Sequence, residues 1–249
     1  MSRYAGKKAV ISGGTHGMGL AVAKALLAGG AEVLITGRDG KNLEAARQEL
    51  GERAHVVSCD VSDLGDIRAV GEAVEEKLGR IDLLHVNAGY AKLEPLEAVT
   101  EETYDRTFAV NTKGAFFTTQ VLAPLVRDGG AIVYTTSIAN VGGTAGMSVY
   151  AGAKSAVRSF AQVFAAELVG RGIRVNAVSP GFIDTPSMGV DASAQERQEF
   201  SELGDQITPM KRHGTPEEIA AAVLYLGFEA TFTTGQELVA DGGLTVVSA

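Results

Sequence analysis

The chain has 249 residues, 45% of them hydrophobic, with 22 basic and 30 acidic side chains and a net charge of -8. That length suits one large α/β domain with a well-buried sheet, and the interspersed charges carry neither a basic run for nucleic acid nor an acidic tail. Cys59 is the only cysteine, so no internal disulfide forms, and no His/Cys cluster has metal-ligand spacing, so no metal is expected. The first residues hold too short an apolar run for a secretion signal, and no stretch approaches ~20 apolar residues. A cytoplasmic protein is the expectation.

In chain order, residues 8–12 (KAVIS) form an apolar strand that runs into Gly13, Gly14, Gly17 and Gly19 and then a helical pattern over 20–27. Strand, Gly-rich turn and helix is the context of a phosphate-cradling loop, because glycines permit close backbone approach and the helix N-terminus offers free N–H groups. The spacing is G-x-x-x-G-x-G, and the alternative is a plain βα turn. A second strand over 32–36 ends at Gly37, Arg38 and Asp39, where a dinucleotide fold meets the adenosine ribose. Gly37 leaves room and Arg38 offers a guanidinium for a 2′-phosphate, with His16 adding charge from the turn. Asp39 points the other way, and Arg38 and Asp39 as simple loop residues are the alternative.

A helix over 41–50, a strand over 54–58, a helix over 63–78 and a strand over 82–86 follow, with Cys59 as core filler. Asp60 at a strand end is a candidate acceptor for an adenine amino group. Asn87, Ala88 and Gly89 let backbone lie against a ligand. Thr100 caps a helix with Glu101 and Glu102 in its first turn. Asn111 sits in the next helical stretch, either as a hydrogen-bonded kink or as a residue orienting the site. Strands are expected over 131–134 and 173–178, the latter ending in Ser179, Pro180 and Gly181. The polar segment 184–213 is placed as a substrate lid. Thr215, Pro216 and Glu218 read as a capping box with proline at the first helical position, opening a helix to about residue 228. A short strand over 237–240 closes a pattern of repeated βα units, which argues a doubly wound parallel sheet.

Between the fifth and sixth strands runs YTTSIANVGGTAGMSVYAGAK (134–154). Tyr150 and Lys154 are four apart at the front of a helix, so they share a face. A phenol titrates near pKa ~10, and an ammonium beside it lowers that value, giving a proton donor and acceptor near neutrality. Ser137 offers a hydroxyl for a carbonyl oxygen. An ordinary solvated Tyr/Lys pair is the alternative at this point.

Taken together, SGGTHGMG (12–19), CDV (59–61), NAG (87–89), Asn111, Ser137, YAGAK (150–154), PGFIDT (180–185) and DGG (241–243) resemble the short-chain dehydrogenase/reductase family over nearly the whole chain. The resemblance implies one Rossmann-like domain spanning 1–249, with a seven-stranded parallel sheet flanked by helices. It implies catalysis by Asn111, Ser137, Tyr150 and Lys154, with Tyr150 as general acid/base, Lys154 lowering its pKa, and Asn111 holding a water. The implied cofactor-binding set is Gly13, Thr15, His16, Gly17, Met18, Gly19, Gly37, Arg38, Asp60, Val61, Asn87, Ala88, Gly89, Tyr150, Lys154, Pro180, Gly181, Ile183 and Thr185. Arg38 with no acid at Gly37 resembles NADP(H)-preferring members, with NAD(H) as the alternative. Ser137, Tyr150, Asn140, Met147 and Phe182 are expected to bind substrate, with Tyr90, Lys92, Ile138, Val141 and Gly143 as further walls. The expected activity is transfer of a hydride between NADP(H) and a ketone or aldehyde and its alcohol. An NAD-dependent alcohol or sugar dehydrogenase is the runner-up, and a non-catalytic dinucleotide-binding protein comes third. The partners implied are a small carbonyl or alcohol substrate and a homotetramer or homodimer. Ser12 departs from the usual Thr, Val86 from a frequent Asn, and His16 from the usual Arg, Lys or Ser.

Overall fold

The structure, a computed structural model, describes residues 2–186 and 189–247. Its centre is a seven-stranded sheet in the order β3-β2-β1-β4-β5-β6-β7. The strands are β1 (Lys8–Ser12), β2 (Glu32–Gly37), β3 (Ala54–Ser58), β4 (Ile81–Val86), β5 (Val126–Thr135), β6 (Arg174–Pro180) and β7 (Glu237–Ala240). All neighbours pair in parallel. Helices α1 (Gly17–Ala28), α2 (Gly40–Leu50), α3 (Leu64–Lys77), α4 (Glu101–Phe108), α5 (Gly114–Leu122), α6 (Ser148–Leu168), α7 (Ala194–Ile207) and α8 (Pro216–Leu224) complete the fold. Among the described residues no helix is long and apolar enough to cross a membrane.

Strands β1, β2, β4, β5 and β6 are apolar at consecutive positions because helices cover both faces of the sheet. The pleat sends Val10, Leu34, Leu84, Ile132, Tyr134 and Val175 into one core with α3, α5 and α6. The alternate residues Ala9, Ile11, Val33, Ile35, Leu83 and Val133 enter the other with α1 and α8. Each fully buried Leu or Ile stabilises the fold by about 1.5–3 kcal/mol. Cys59 lies in the first core at 5% exposure, where burial and then the carboxylates around it push its thiol up to about 12.

Two elements differ from the expectation. Strand β5 starts at Val126 rather than at residue 131, because Val126 pairs with Ile81 before a register shift resumes pairing at Leu83 and Ala131. The last helix leaves α-geometry after Leu224 for a π-helical turn, Tyr225–Glu229. There Arg174 ties down the carbonyls of Leu226, Gly227 and Ala230. The segment 184–213, expected as a lid, holds a full helix, α7, nucleated by a Ser193/Glu196 capping box. Strand order reverses between β1 and β4, and the crevice beyond the strand ends there is where such sheets bind ligands.

Candidate active site

A cleft of about 1100 Å³ opens at that crevice. At one end lies the β1–α1 turn. Gly13 and Gly17 take positive φ (65° and 53°). A Cβ on Gly19 would lie 2.3 Å from the Gly13 carbonyl oxygen. The turn folds tightly because Asn87 fills its inside, donating to Gly13 O (2.9 Å) and Ser12 O (3.3 Å). The Ser12 hydroxyl accepts from the N–H groups of Asn87 and Ala88. The first turn of α1 carries no acidic residue and no side-chain cap. Its N–H groups and positive end therefore stay available to an anion.

Next along the cleft come Gly37, Arg38 and Asp60. A Cβ on Gly37 would sit 2.4 Å from the hydroxyl oxygen of buried Thr15. Thr15 therefore excludes an acidic side chain from this position. Asp39 is the N-cap of α2 and accepts from Asn42 N (2.9 Å). Its carboxylate is committed there. Arg38 is half-exposed and pairs with Asp60 at 3.5 Å. Burial pushes the Asp60 carboxyl up, but hydrogen bonds from Ser62 and the Arg38 guanidinium outweigh it and hold the group below its ordinary value.

The middle of the cleft holds Ser137, Tyr150 and Lys154. Ser137 follows the end of β5, and Tyr150 and Lys154 lie in the first two turns of α6. Tyr150 is partly buried, and its phenol faces the Ser137 side chain. Lys154 Nζ donates to Thr135 O (2.9 Å) and stands 5.8 Å from the centre of the Tyr150 ring. Burial without a carboxylate partner lowers the Lys154 ammonium to about 8. Burial raises the phenol, and only the Ser137 hydrogen bond pulls it back. The ammonium is engaged by the Thr135 carbonyl rather than by the phenolic oxygen.

Thr135 joins a further chain of contacts. His85 Nε2 lies 2.9 Å from its hydroxyl, which donates to Asn87 Oδ1 (3.0 Å). The ring nitrogen is thus the donor. Complete burial lowers the His85 pKa to about 3, so the ring is neutral.

The far end is apolar, with Leu93, Val141, Met147, Phe182, Phe200, Leu203 and Ile207 among its walls. The lid segment is stitched to the loop after β4 by a bridge between Ala91 and Val190. Tyr90 donates to Asp191 (3.0 Å), and Arg106 lies 4.3 Å over the Tyr90 ring and 3.8 Å from Asp191. Ser187 and Met188 of the lid segment lie outside the described residues.

Most of the expected residues line this one cleft: Gly13, Thr15, His16, Gly17, Met18, Gly37, Arg38, Asp60, Val61, Asn87, Ala88, Gly89, Ser137, Met147, Tyr150, Lys154, Pro180, Gly181, Phe182, Ile183 and Thr185. Gly19 shapes the turn from behind. Two expected roles, those of Asn140 and Lys92, are corrected by what the side chains touch. Asn140, expected at the substrate, turns its Nδ2 away to Glu237 (2.7 Å). Asn111 lies in a π-helical turn, Ala109–Lys113. Its amide donates to Tyr90 O (2.6 Å) and Thr107 O (2.9 Å) and accepts from Tyr90 N (3.2 Å). Both side-chain donors are taken, so Asn111 pins the loop after β4, and its expected hold on a water would fall to an oxygen acceptor. Lys92, expected as a wall, pairs with Glu94 (2.7 Å). Arg106, Phe200, Leu203, Leu244 and Val246 line the cleft without having been singled out. Their only sequence signal was position in the lid, the closing segment or an amphipathic helix.

A family model described as enoyl-(acyl carrier protein) reductase matches residues 13–245. The oxidoreductase asL5 of Sarocladium schorii is 37% identical over 250 residues, covering 99% of both chains. The chain belongs to the short-chain dehydrogenase/reductase family. Within this short-chain dehydrogenase/reductase family, galactitol 2-dehydrogenase (L-tagatose-forming) of Cereibacter sphaeroides is 36% identical over 251 residues, covering 98% of this chain and 97% of its own. The structure of levodione reductase superimposes with a TM-score of 0.90 at 30% identity, covering 99% of this chain and 100% of its own. The chain is thus an oxidoreductase, and the family implies a nicotinamide dinucleotide. The cleft fits that group: a glycine turn closed to side chains, an uncapped helix N-terminus for phosphate, and a buried ammonium beside a phenol.

Proposed function

We propose that this short-chain dehydrogenase/reductase is an NADP(H)-dependent carbonyl reductase acting on ketones or aldehydes, with Tyr150 as the general acid. The observation that carries the reading is the convergence of Ser137, Tyr150 and the buried Lys154 in one cleft. The bound nicotinamide supplies the hydride to the carbonyl carbon. Ser137 then holds the carbonyl oxygen, and Tyr150 gives that oxygen its phenolic proton. A phenol raised by burial is fully protonated at neutral pH, which suits donation. Lys154 keeps positive charge near the phenolate left behind and is placed to hold a ribose hydroxyl. Thr15 and Gly37 exclude the acid that would favour a free 2′-hydroxyl, and Arg38 offers charge to a 2′-phosphate. The apolar far wall favours carbonyl compounds of low polarity. A homotetramer or homodimer is the proposed assembly.

The second reading is an NAD-dependent alcohol or sugar dehydrogenase using the same residues. Asp60 favours it, because its carboxylate already offsets part of the Arg38 charge.

Fluorescence titration with NADPH and NADH under identical conditions separates the two. NADPH binding at least tenfold tighter, about 1.4 kcal/mol, is expected. Equal or tighter NADH binding would move the second reading first. Over a carbonyl panel, Tyr150→Phe is expected to abolish turnover while cofactor affinity stays within a few fold; substantial residual turnover would remove Tyr150 from the proton step.

A further inference from the structure

Glu237 opens β7, an edge strand whose next residues, Leu238 and Val239, are 36% and 40% exposed. An edge strand gives an acid ready access to water, yet the Glu237 side chain is 7% exposed. A carboxylate removed from water destabilises the fold by several kcal/mol unless donors surround it. Three donors do, each from a different element. The Thr136 hydroxyl lies 2.5 Å and Asn140 Nδ2 2.7 Å from Oε1, while Arg158 Nε lies 3.2 Å from Oε2.

The Thr136 hydroxyl is also 2.9 Å from Val178 O, but that carbonyl already receives the Thr136 N–H (2.9 Å). The single hydroxyl proton therefore goes to the charged acceptor. Asn140 Oδ1 is buried with no partner. Turning the amide over would set that oxygen against the carboxylate, so Glu237 dictates the amide's orientation. Apolar packing alone would ask only for an apolar residue of this size.

Where the donors come from gives the network its meaning. Thr136 immediately precedes Ser137, and Asn140 ends the 3-10 turn Ile138–Asn140 that Ser137 caps. Arg158 lies on α6, one turn beyond Lys154 and two beyond Tyr150. One carboxylate thus grips both sides of the Ser137 loop and the helix that carries Tyr150.

We propose that Glu237 is a positioning residue that sets the Ser137 loop against the helix carrying Tyr150 by accepting from Thr136, Asn140 and Arg158. The role rests on the proposed function for what Ser137 and Tyr150 do, and on the coordinates for the tether itself.

The test compares wild type, Glu237→Ala and Glu237→Gln. Glu237→Ala is expected to lower kcat roughly tenfold or more, since small misplacements of reacting groups reduce rates steeply, with the cofactor Kd within twofold. Glu237→Gln keeps an acceptor for Thr136 and Asn140 and is expected to stay within about threefold of wild type. A second readout needs no turnover. The Tyr150 phenolate absorbance, isolated as the difference from Tyr150→Phe, is expected to titrate at higher pH in Glu237→Ala, because the Ser137 hydrogen bond that lowers the phenol loosens. A role in stability alone would lower Tm and leave kcat per cofactor-binding site and the phenol titration unchanged, and that result overturns the proposal. If Glu237→Ala does not fold, Asn140→Ala is read the same way: a fall in kcat at constant cofactor Kd supports the tether, and unchanged kcat overturns it. If wild type reduces no carbonyl, the proposed function falls, and the phenol titration alone decides the tether.

Discussion

Lys154 is 4% exposed and has the Thr135 carbonyl and the Tyr150 ring, but no carboxylate, beside its charge. Its pKa, about 8 in the folded chain against an ordinary 10.5, sets a sign. Between those values the unfolded chain binds the extra proton, so this group's penalty is complete below pH 8 and fades as pH rises toward 10.5. Lys154→Met is therefore expected to raise the Tm of the cofactor-free protein at neutral pH, by an amount on the order of 3 kcal/mol in stability. The gain should shrink across that alkaline window in a series of melts; a constant gain would mean packing rather than charge. Arg38 carries a second residue-level expectation. Its guanidinium is half-exposed, paired with Asp60, and set where Thr15 forbids an acid at Gly37. Arg38→Ala should weaken NADPH by tenfold or more and NADH by less than threefold in parallel titrations. Equal weakening would show that Arg38 reads no 2′-phosphate.

At the scale of elements, α7 is seated by a missing side chain. Gly204 is buried inside the helix, and a Cβ there would lie 2.5 Å from the Phe182 ring and 2.6 Å from His213 Nε2. Phe182 and His213 stack beneath it, with ring centres 5.7 Å apart and planes at 19°. Glycine inside a helix is about 1 kcal/mol less favourable than alanine, so its presence here reflects packing rather than propensity. Gly204→Ala is expected to lift α7 from Phe182 and raise the carbonyl substrate KM several fold, because Phe200, Leu203 and Ile207 ride on that helix. Cofactor affinity should not move. Unchanged KM would mean that Phe182 and His213 yield without displacing the lid.

At the scale of the molecule, parallel pairing sends every strand end to one edge of the sheet. Thr36, Ser137 and Pro180 thus meet in one cleft although they lie far apart in the chain. The opposite end of the sheet order is less covered. Phe232 is fully exposed just before β7, and Leu238 and Val239 are partly exposed along it. Apolar groups along an unpaired edge invite a second copy of the chain. Light scattering is expected to give a dimer or tetramer, and Phe232→Asp to shift it toward smaller species. A monomeric wild type would refute the proposed assembly.

The sequence by itself determined the βα alternation, because apolar runs, glycine turns and the Thr215 capping box are local signals that tertiary contacts did not override. β1 and β7 fall where the sequence placed them. Tyr150 and Lys154 were legible as a pair because helical spacing alone puts them on one face. Only the tertiary structure decided what depends on distant partners. Asn111 and Asn140 look available in the sequence, yet Tyr90 and Glu237 occupy them. Glu237 itself carries no local signal, since its three donors lie 79 to 101 residues away. The upward direction of the Tyr150 shift was also hidden, because burial, a property of the packed core, leaves no mark in local spacing.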